Sequence, residues 1–207
     1  MKITLFGATG ATGQHVVEQA LAAGHQVTAV VRDPSKLRRA ELTVVEADTM
    51  DPAAIEPAVS GADAVISALG TRNGRGPTTV CADGASSIMR AMTAAGTRRL
   101  VVVSAAGLAK DNDGPLTRVL VKPIVQRMLR NPFADMRRME ELVRAGALDW
   151  TIIRPPMLTE GPRGPYRTAV DTGVRGGMRI SRANLAHAVL LATPDEKTIG
   201  KVLTVAR

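Results

Sequence analysis

Residues 2–13 read KITLFGATGATG, and this stretch decides the fold. Ile3 to Phe6 is an apolar run of strand length, broken by Gly7, Gly10 and Gly13. Behind the glycines, Val16, Val17, Ala20 and Leu21 recur on one face at helical spacing. The order is strand, tight turn, helix. Glycine adopts torsions that side chains forbid and lets another group approach the main chain. The first N–H groups of a helix lack intrahelical partners, and the dipole is positive there, so the turn suits an anion. At the head of an alternating series of strands and helices, that anion is expected to be a dinucleotide pyrophosphate. The usual spacing is G-x-G-x-x-G, whereas this one is G-x-x-G-x-x-G. Glycine triplets also occur in plain connections; the position between strand and helix is what gives this one its meaning.

Working outward, the alternation continues. Strands are expected at Gln26–Val31, Thr43–Val45, Ala64–Ser67, Arg99–Ser104, Asp149–Arg154 and Val202–Val205. Helices are expected from Pro52 to Val59, Thr79 to Ala94, Phe133 to Arg144, and Ser181 to Thr193. Asp51-Pro52 has the form of an N-cap followed by proline at the first helical position. Strands alternating with helices imply an α/β fold, a Rossmann-type doubly wound parallel sheet with right-handed crossovers. The expected strand order is 3-2-1-4-5-6, with a place for a seventh strand at the edge. We read residues 1–207 as a single NAD(P)-binding domain, with late loops at about 105–131 and 155–180 forming a small substrate-side cap.

The 207 residues suffice for a well-buried core, and 45% are hydrophobic. With aromatics at 2%, that core must be aliphatic. The lone Cys81 rules out an internal disulfide and fits a reducing compartment. Met1 runs straight into the first strand, and no apolar run reaches bilayer length. A cytoplasmic protein without membrane association is expected. The net charge of +8 comes mainly from arginines scattered along the chain. A nucleic-acid surface would want stacking aromatics, which are nearly absent. The charge fits better an arginine-rich coding bias and a polyanionic cofactor, so nucleic acid is not an expected partner. No His, Cys or carboxylate group has metal-ligand spacing. The expected partner is a small-molecule acceptor, with the protein a monomer or weak homodimer.

In such sheets ligands bind at the carboxyl ends of the strands, near the switch point between the first and fourth. Gly7, Arg32, Asp48, Gly70, Ser104 and Pro155 stand at those ends and should converge. A basic residue after the second strand accommodates a 2′-phosphate, and an acidic one binds a 2′-hydroxyl. Arg32, with Lys36 nearby, competes with Asp33 and favours NADP(H) over NAD. Asp48 and Thr49 could meet the adenine edge, or Asp48 could serve its own turn. Ser104 could hydrogen-bond a substrate carbonyl or the cofactor carboxamide, or merely satisfy backbone at a strand end. Tyr-x-x-x-Lys chemistry is not expected. The single tyrosine, Tyr166, precedes Val170 by four residues, and Pro132 and Met136 stand in the helix where the pair would lie. Alcohol oxidation or sugar epimerisation by that route is not expected.

The stretches FGATGATG, VTAVVRDPSKL, AVISALGTRNGRGPTTV and IIRPP resemble the biliverdin-IXβ reductase/flavin reductase proteins, within the wider NAD(P)H-binding, NmrA-like atypical short-chain dehydrogenases/reductases. The resemblance covers nearly the whole chain. It implies phosphate contacts from Gly7, Thr9, Gly10, Thr12 and the neighbouring Gly13, and a 2′-phosphate held by Arg32, Ser35 and Lys36. It further places Asp48 and Thr49 at adenine and Leu69 and Gly70 on the nicotinamide side. Ser104 matches the active-site serine, and Pro156 and Met157 belong to the substrate loop. Met157 replaces the family's histidine, and Asn184 replaces an aspartate in the last helix. The implied activity is NADPH-dependent reduction of a flat conjugated acceptor of flavin, quinone or tetrapyrrole type. The alternative is a non-catalytic NADP(H)-sensing regulator of the NmrA-like kind.

Overall fold

In β1 (Lys2–Phe6), alternate residues serve opposite faces of the sheet: Ile3 and Leu5 enter one aliphatic core, Phe6 the other. Both faces of a parallel sheet are covered by helices, so a run without polar alternation is what its strands require. This computed structural model describes residues 1–37, 39–71, 76–108 and 130–207. The sequence readings on 72–75 of the loop after the fourth strand and on 109–129 of the first late loop lie outside the described residues.

β1 is paired in parallel with β2 (Gln26–Val31) on one side and β4 (Ala64–Ser67) on the other. Beyond β2 lies β3 (Leu42–Glu46); beyond β4 come β5 (Arg99–Val103) and β6 (Asp149–Arg154). The expected order 3-2-1-4-5-6 is therefore present, with its switch point between β1 and β4. The sheet continues through β10 (Lys201–Ala206), parallel to β6, to β8 (Arg167–Val170), which runs antiparallel. Eight strands replace the six or seven expected. The second late loop is corrected too. Besides β8 it holds β7 (Met157–Thr159) and β9 (Arg179–Ser181), which form a separate two-stranded parallel ribbon. Each is only three or four residues long and lies among prolines and glycines. No periodicity can be read over so few positions.

Helices α1 (Ala11–Ala22) and α5 (Arg182–Ala192) cover one face; α2 (Pro52–Val59), α3 (Val80–Ala95) and α4 (Arg130–Ala145) cover the other. Local chemistry sets their ends. The Asp51 side chain accepts from the Ala53 and Ala54 N–H groups, with Pro52 at the first helical position. The Ser181 hydroxyl accepts from the Asn184 N–H. Arg99 ties the amino edge together. Its guanidinium donates to the Ala192 and Thr193 carbonyls at the end of α5, to the Asp149 carbonyl, and to the hydroxyls of Thr151 and Thr198. Among the described residues, no helix is long and apolar enough to cross a membrane.

Candidate functional site

The three glycines of the first turn have different tasks. Gly7 has φ +85°, and a Cβ there would stand 2.5 Å from the Ala68 carbonyl oxygen. It turns the chain and lets β1 and β4 end close together. A Cβ on Gly13 would meet the Gly7 carbonyl oxygen at 2.1 Å, so this glycine packs helix against strand. Gly10 has an ordinary φ of −78° and meets only the Gly7 oxygen, at 3.2 Å. It occupies the N-cap of α1, where no side chain caps the helix and the first turn has no acidic residue. The positive end of α1 is left to a ligand, and the half-exposed Thr9, Gly10 and Thr12 frame it. The pyrophosphate of a dinucleotide fits this cradle.

At the end of β2, Arg32 is exposed and has no carboxylate partner among the described residues. Asp33 is engaged with its own turn. It accepts from the Ser35 N–H at 3.1 Å and hydroxyl at 2.6 Å, and pairs with Lys36 at 3.0 Å. The Ser35 hydroxyl and Lys36 together hold the Asp33 carboxyl down to about 2. Of the three residues expected around a 2′-phosphate, Arg32 alone is uncommitted. Asp48 accepts from the Met50 N–H at 3.0 Å, so it does serve its turn, and its side chain remains exposed. Thr49 is buried. Sequence reading missed Gly84 on α3. A Cβ there would stand 2.6 Å from Leu69 and 3.8 Å from Thr49, so this glycine seats the loops after β3 and β4 on one helical turn. Gly70 has open space around it.

Ser104, 3% exposed, follows β5, and its N–H donates to the Ile153 carbonyl at 2.8 Å. Its hydroxyl donates to Glu140 Oε1 at 2.6 Å. Glu140, 4% exposed on α4, also accepts from Arg154 Nε at 2.8 Å and, through Oε2, from Arg154 Nη2. Arg154 ends β6. The network fixes Ser104 with its proton turned toward Glu140, so the hydroxyl oxygen can accept a hydrogen bond but has no proton to give. Neither Glu140 nor Arg154 was singled out in the sequence. The signal was there: Pro132, Asp135, Met139, Glu140 and Val143 follow helical spacing, so two carboxylates lie on the buried face of α4. The other, Asp135, accepts from the Cys81 and Ala82 N–H groups at 2.9 Å each and caps α3 from a neighbouring helix, since Thr79 makes no side-chain cap. Burial, with Asp135 beside it, pushes the Cys81 thiol up to about 12, so it is not a nucleophile.

Beyond Ser104, the Ala106 N–H donates to the Pro155 carbonyl at 2.8 Å, so the chain after β5 runs beside the chain leaving β6. Pro156 is half-buried, and Met157, 65% exposed, opens β7 on this edge. Tyr166 packs edge-on against His187, with its hydroxyl 2.9 Å from Nδ1. Asn184 accepts from the Gly164 N–H at 2.8 Å and anchors the substrate-side loop to α5. A cavity of about 690 Å³ lies between α2, α3 and the end of α4, and one of about 490 Å³ opens at the amino edge; neither contains an expected site residue.

Among known proteins, the chain is similar to YwnB of Bacillus subtilis, with 28% identity over 95% of each chain. It is 31% identical to YhfK of the same organism, described as an uncharacterized sugar epimerase, over 95% of this chain and 89% of that one. It is 28% identical to the reductase pytE of Aspergillus terreus, over 90% and 89%. A short-chain dehydrogenase/reductase of Veillonella parvula, solved in complex with NADP, shares the fold with a TM-score of 0.81 at 21% identity, covering 100% of this chain and 94% of that one. The family model described as NAD(P)H-binding matches residues 7–196, from the first glycine of the turn to just past α5, and the chain belongs to that NAD(P)H-binding family.

Proposed function

We propose that this protein is an NADPH-dependent reductase that transfers hydride to a flat conjugated acceptor of flavin, quinone or tetrapyrrole type. The observation that carries the reading is the pairing of an open, uncapped cofactor turn with a strand-end edge that holds a hydrogen-bond acceptor and an exposed apolar side chain. Neither Ser104, whose proton goes to Glu140, nor Met157 offers a proton there. Such an edge suits acceptors whose reduction needs little acid assistance. The reductase name of the Aspergillus relative supports the reading.

The bound NADPH supplies the hydride. Gly10 and the first turn of α1 hold the pyrophosphate, and Arg32 holds the 2′-phosphate. Ser104 accepts a hydrogen bond from the cofactor carboxamide, with Glu140 and Arg154 fixing its rotamer. Met157 supplies an apolar wall to the acceptor, and solvent supplies the proton. Steady-state NADPH oxidation with FMN, a quinone and a linear tetrapyrrole tests this. Turnover is expected with FMN or the quinone and should be poor with the tetrapyrrole. General acid catalysis contributes about 100- to 10,000-fold, so Met157→His should raise tetrapyrrole reduction more than flavin reduction. The missing Tyr-x-x-x-Lys pair and the proton-poor edge also suit an NADP(H)-sensing regulator; tight NADPH binding with no turnover of any acceptor would establish that reading instead.

A further inference from the structure

Four of the arginines that look scattered along the sequence meet at one corner of the fold. β8 enters the sheet antiparallel, so its first residue, Arg167, lies opposite Ala206 at the carboxyl edge. Arg207 follows directly, and its N–H donates to the Arg179 carbonyl at 2.9 Å. The Arg167 guanidinium donates to the Arg175 carbonyl at 2.9 Å, which brings the turn before β9 to the same place. All four side chains are exposed, and none has a carboxylate partner among the described residues. The neighbouring acids are already taken: Glu160 pairs with Arg182, and Asp171 with Lys201 at 3.2 Å. Four arginines without a side-chain carboxylate partner therefore occupy neighbouring backbone positions in a chain of net charge +8, with the terminal carboxylate at Arg207 as the one anion beside them.

The corner adjoins the candidate acceptor site. Arg179 is the register partner of Met157 in the β7–β9 ribbon, so the two exposed side chains share a face. Met157 is two residues past Pro155, which binds the segment leaving Ser104. Those two residues span about 7 Å, and the neighbouring strand adds about 5 Å. A ring seated against Met157 therefore has Arg179 one strand spacing, about 5 Å, to its side. Guanidinium forks are suited to the oxygens of phosphate and carboxylate groups.

We propose that Arg167, Arg175, Arg179 and Arg207 form a subsite for an anionic side arm, phosphate or carboxylate, of the acceptor. The subsite selects charged acceptors over neutral ones with the same ring. This rests on the reductase reading above, and the test separates the two.

Flavin fluorescence titration of the NADP⁺-loaded protein gives the affinities of FMN and riboflavin. A carboxylated tetrapyrrole and its methyl ester, followed by absorbance, give the second pair. The subsite predicts roughly 10-fold or greater preference for the charged member of at least one pair. A preference in the first pair identifies phosphate, and one in the second identifies carboxylate. The preference should shrink with added salt, and Arg179→Gln should remove most of it. Arg207→Gln, at the chain end, provides the same check should the first variant fold poorly. Equal affinities within both pairs, no binding of either charged member, or a preference unmoved by both variants overturns the subsite. So does a labelled single-stranded oligonucleotide that binds this corner more tightly than FMN does. If charged acceptors bind selectively but NADPH never reduces them, the subsite stands and the reductase reading fails. If the members of both pairs are bound alike and NADPH still reduces them, the reductase reading stands and the subsite fails.

Discussion

A Cβ at Gly10 would meet only the Gly7 oxygen, at 3.2 Å, and the side chain beyond it would compete with a ligand at the amino end of α1. Gly10→Val should keep the melting temperature close to that of the parent and weaken NADPH by 10-fold or more, about 1.4 kcal/mol. Gly13→Ala drives its methyl group into the Gly7 carbonyl and should cost stability, about 1–3 kcal/mol. Thermal melts beside calorimetric titrations separate the two effects. Behind β2 the same logic ranks the cations. Lys36 is already paired with Asp33, whereas Arg32 is uncommitted. A charge-assisted phosphate contact contributes about 1.5–3 kcal/mol. NADPH should therefore bind roughly 10- to 150-fold more tightly than NADH. Arg32→Ala should erase most of that preference and leave NADH binding nearly unchanged, while Lys36→Ala should change the ratio far less. Equal dissociation constants for the two cofactors in the parent protein would contradict this assignment.

The element most exposed to solution conditions is α5 with the loop it holds. Asn184, Tyr166–His187 and the Ser181 hydroxyl, which donates to the Pro162 carbonyl at 3.2 Å, clamp residues 160–166 to the start of this helix. Burial, and Arg163 nearby, hold His187 below its usual 6.5. The unfolded chain takes up a proton that the folded chain refuses, so the stability linked to His187 is present above about 6.5 and declines as pH falls below it. Urea midpoints at about pH 7.5 and about pH 5.5 check this in the histidine range. His187→Gln should lose less stability across that interval than the parent, and equal losses would remove His187 as the cause. The elements also show what the sequence can carry. β1, β2, β6 and α2 were legible because each has a run or cap long enough to read, and the four-residue β4 because it is an apolar run placed in the strand–helix alternation. β7, β8 and β9 were not, because strands of three or four residues are fixed by their partners rather than by their own pattern. The buried face of α4 lay in between: its period was visible, but Asp135 and Glu140 acquire their roles only from Cys81, Ser104 and Arg154, which tertiary contacts bring to them.

At the scale of the whole molecule, the switch point between β1 and β4 gathers the glycine turn, Arg32, Thr49 and Leu69 along one edge. The antiparallel β8 and the β7–β9 ribbon extend that edge toward Met157 and the arginine corner. The cofactor half of the site was readable because a phosphate-binding turn has a fixed local spacing. Of the acceptor half, Ser104, Pro156 and Met157 were named through the resemblance, whereas Glu140, Arg154 and Arg179 were not, since the ends of β5, β6, β7 and β9 are distant in sequence. Hydride transfer from NADPH to a flat acceptor at this edge is open to an anaerobic single turnover. Protein in excess is mixed with NADPH and FMN, with the cofactor carrying either hydrogen or deuterium at the transferred position. NADPH should be consumed one for one with flavin reduced, and deuterium should slow the step. NADPH that stays bound and unchanged beside oxidised flavin, and beside a quinone in the same experiment, would contradict it.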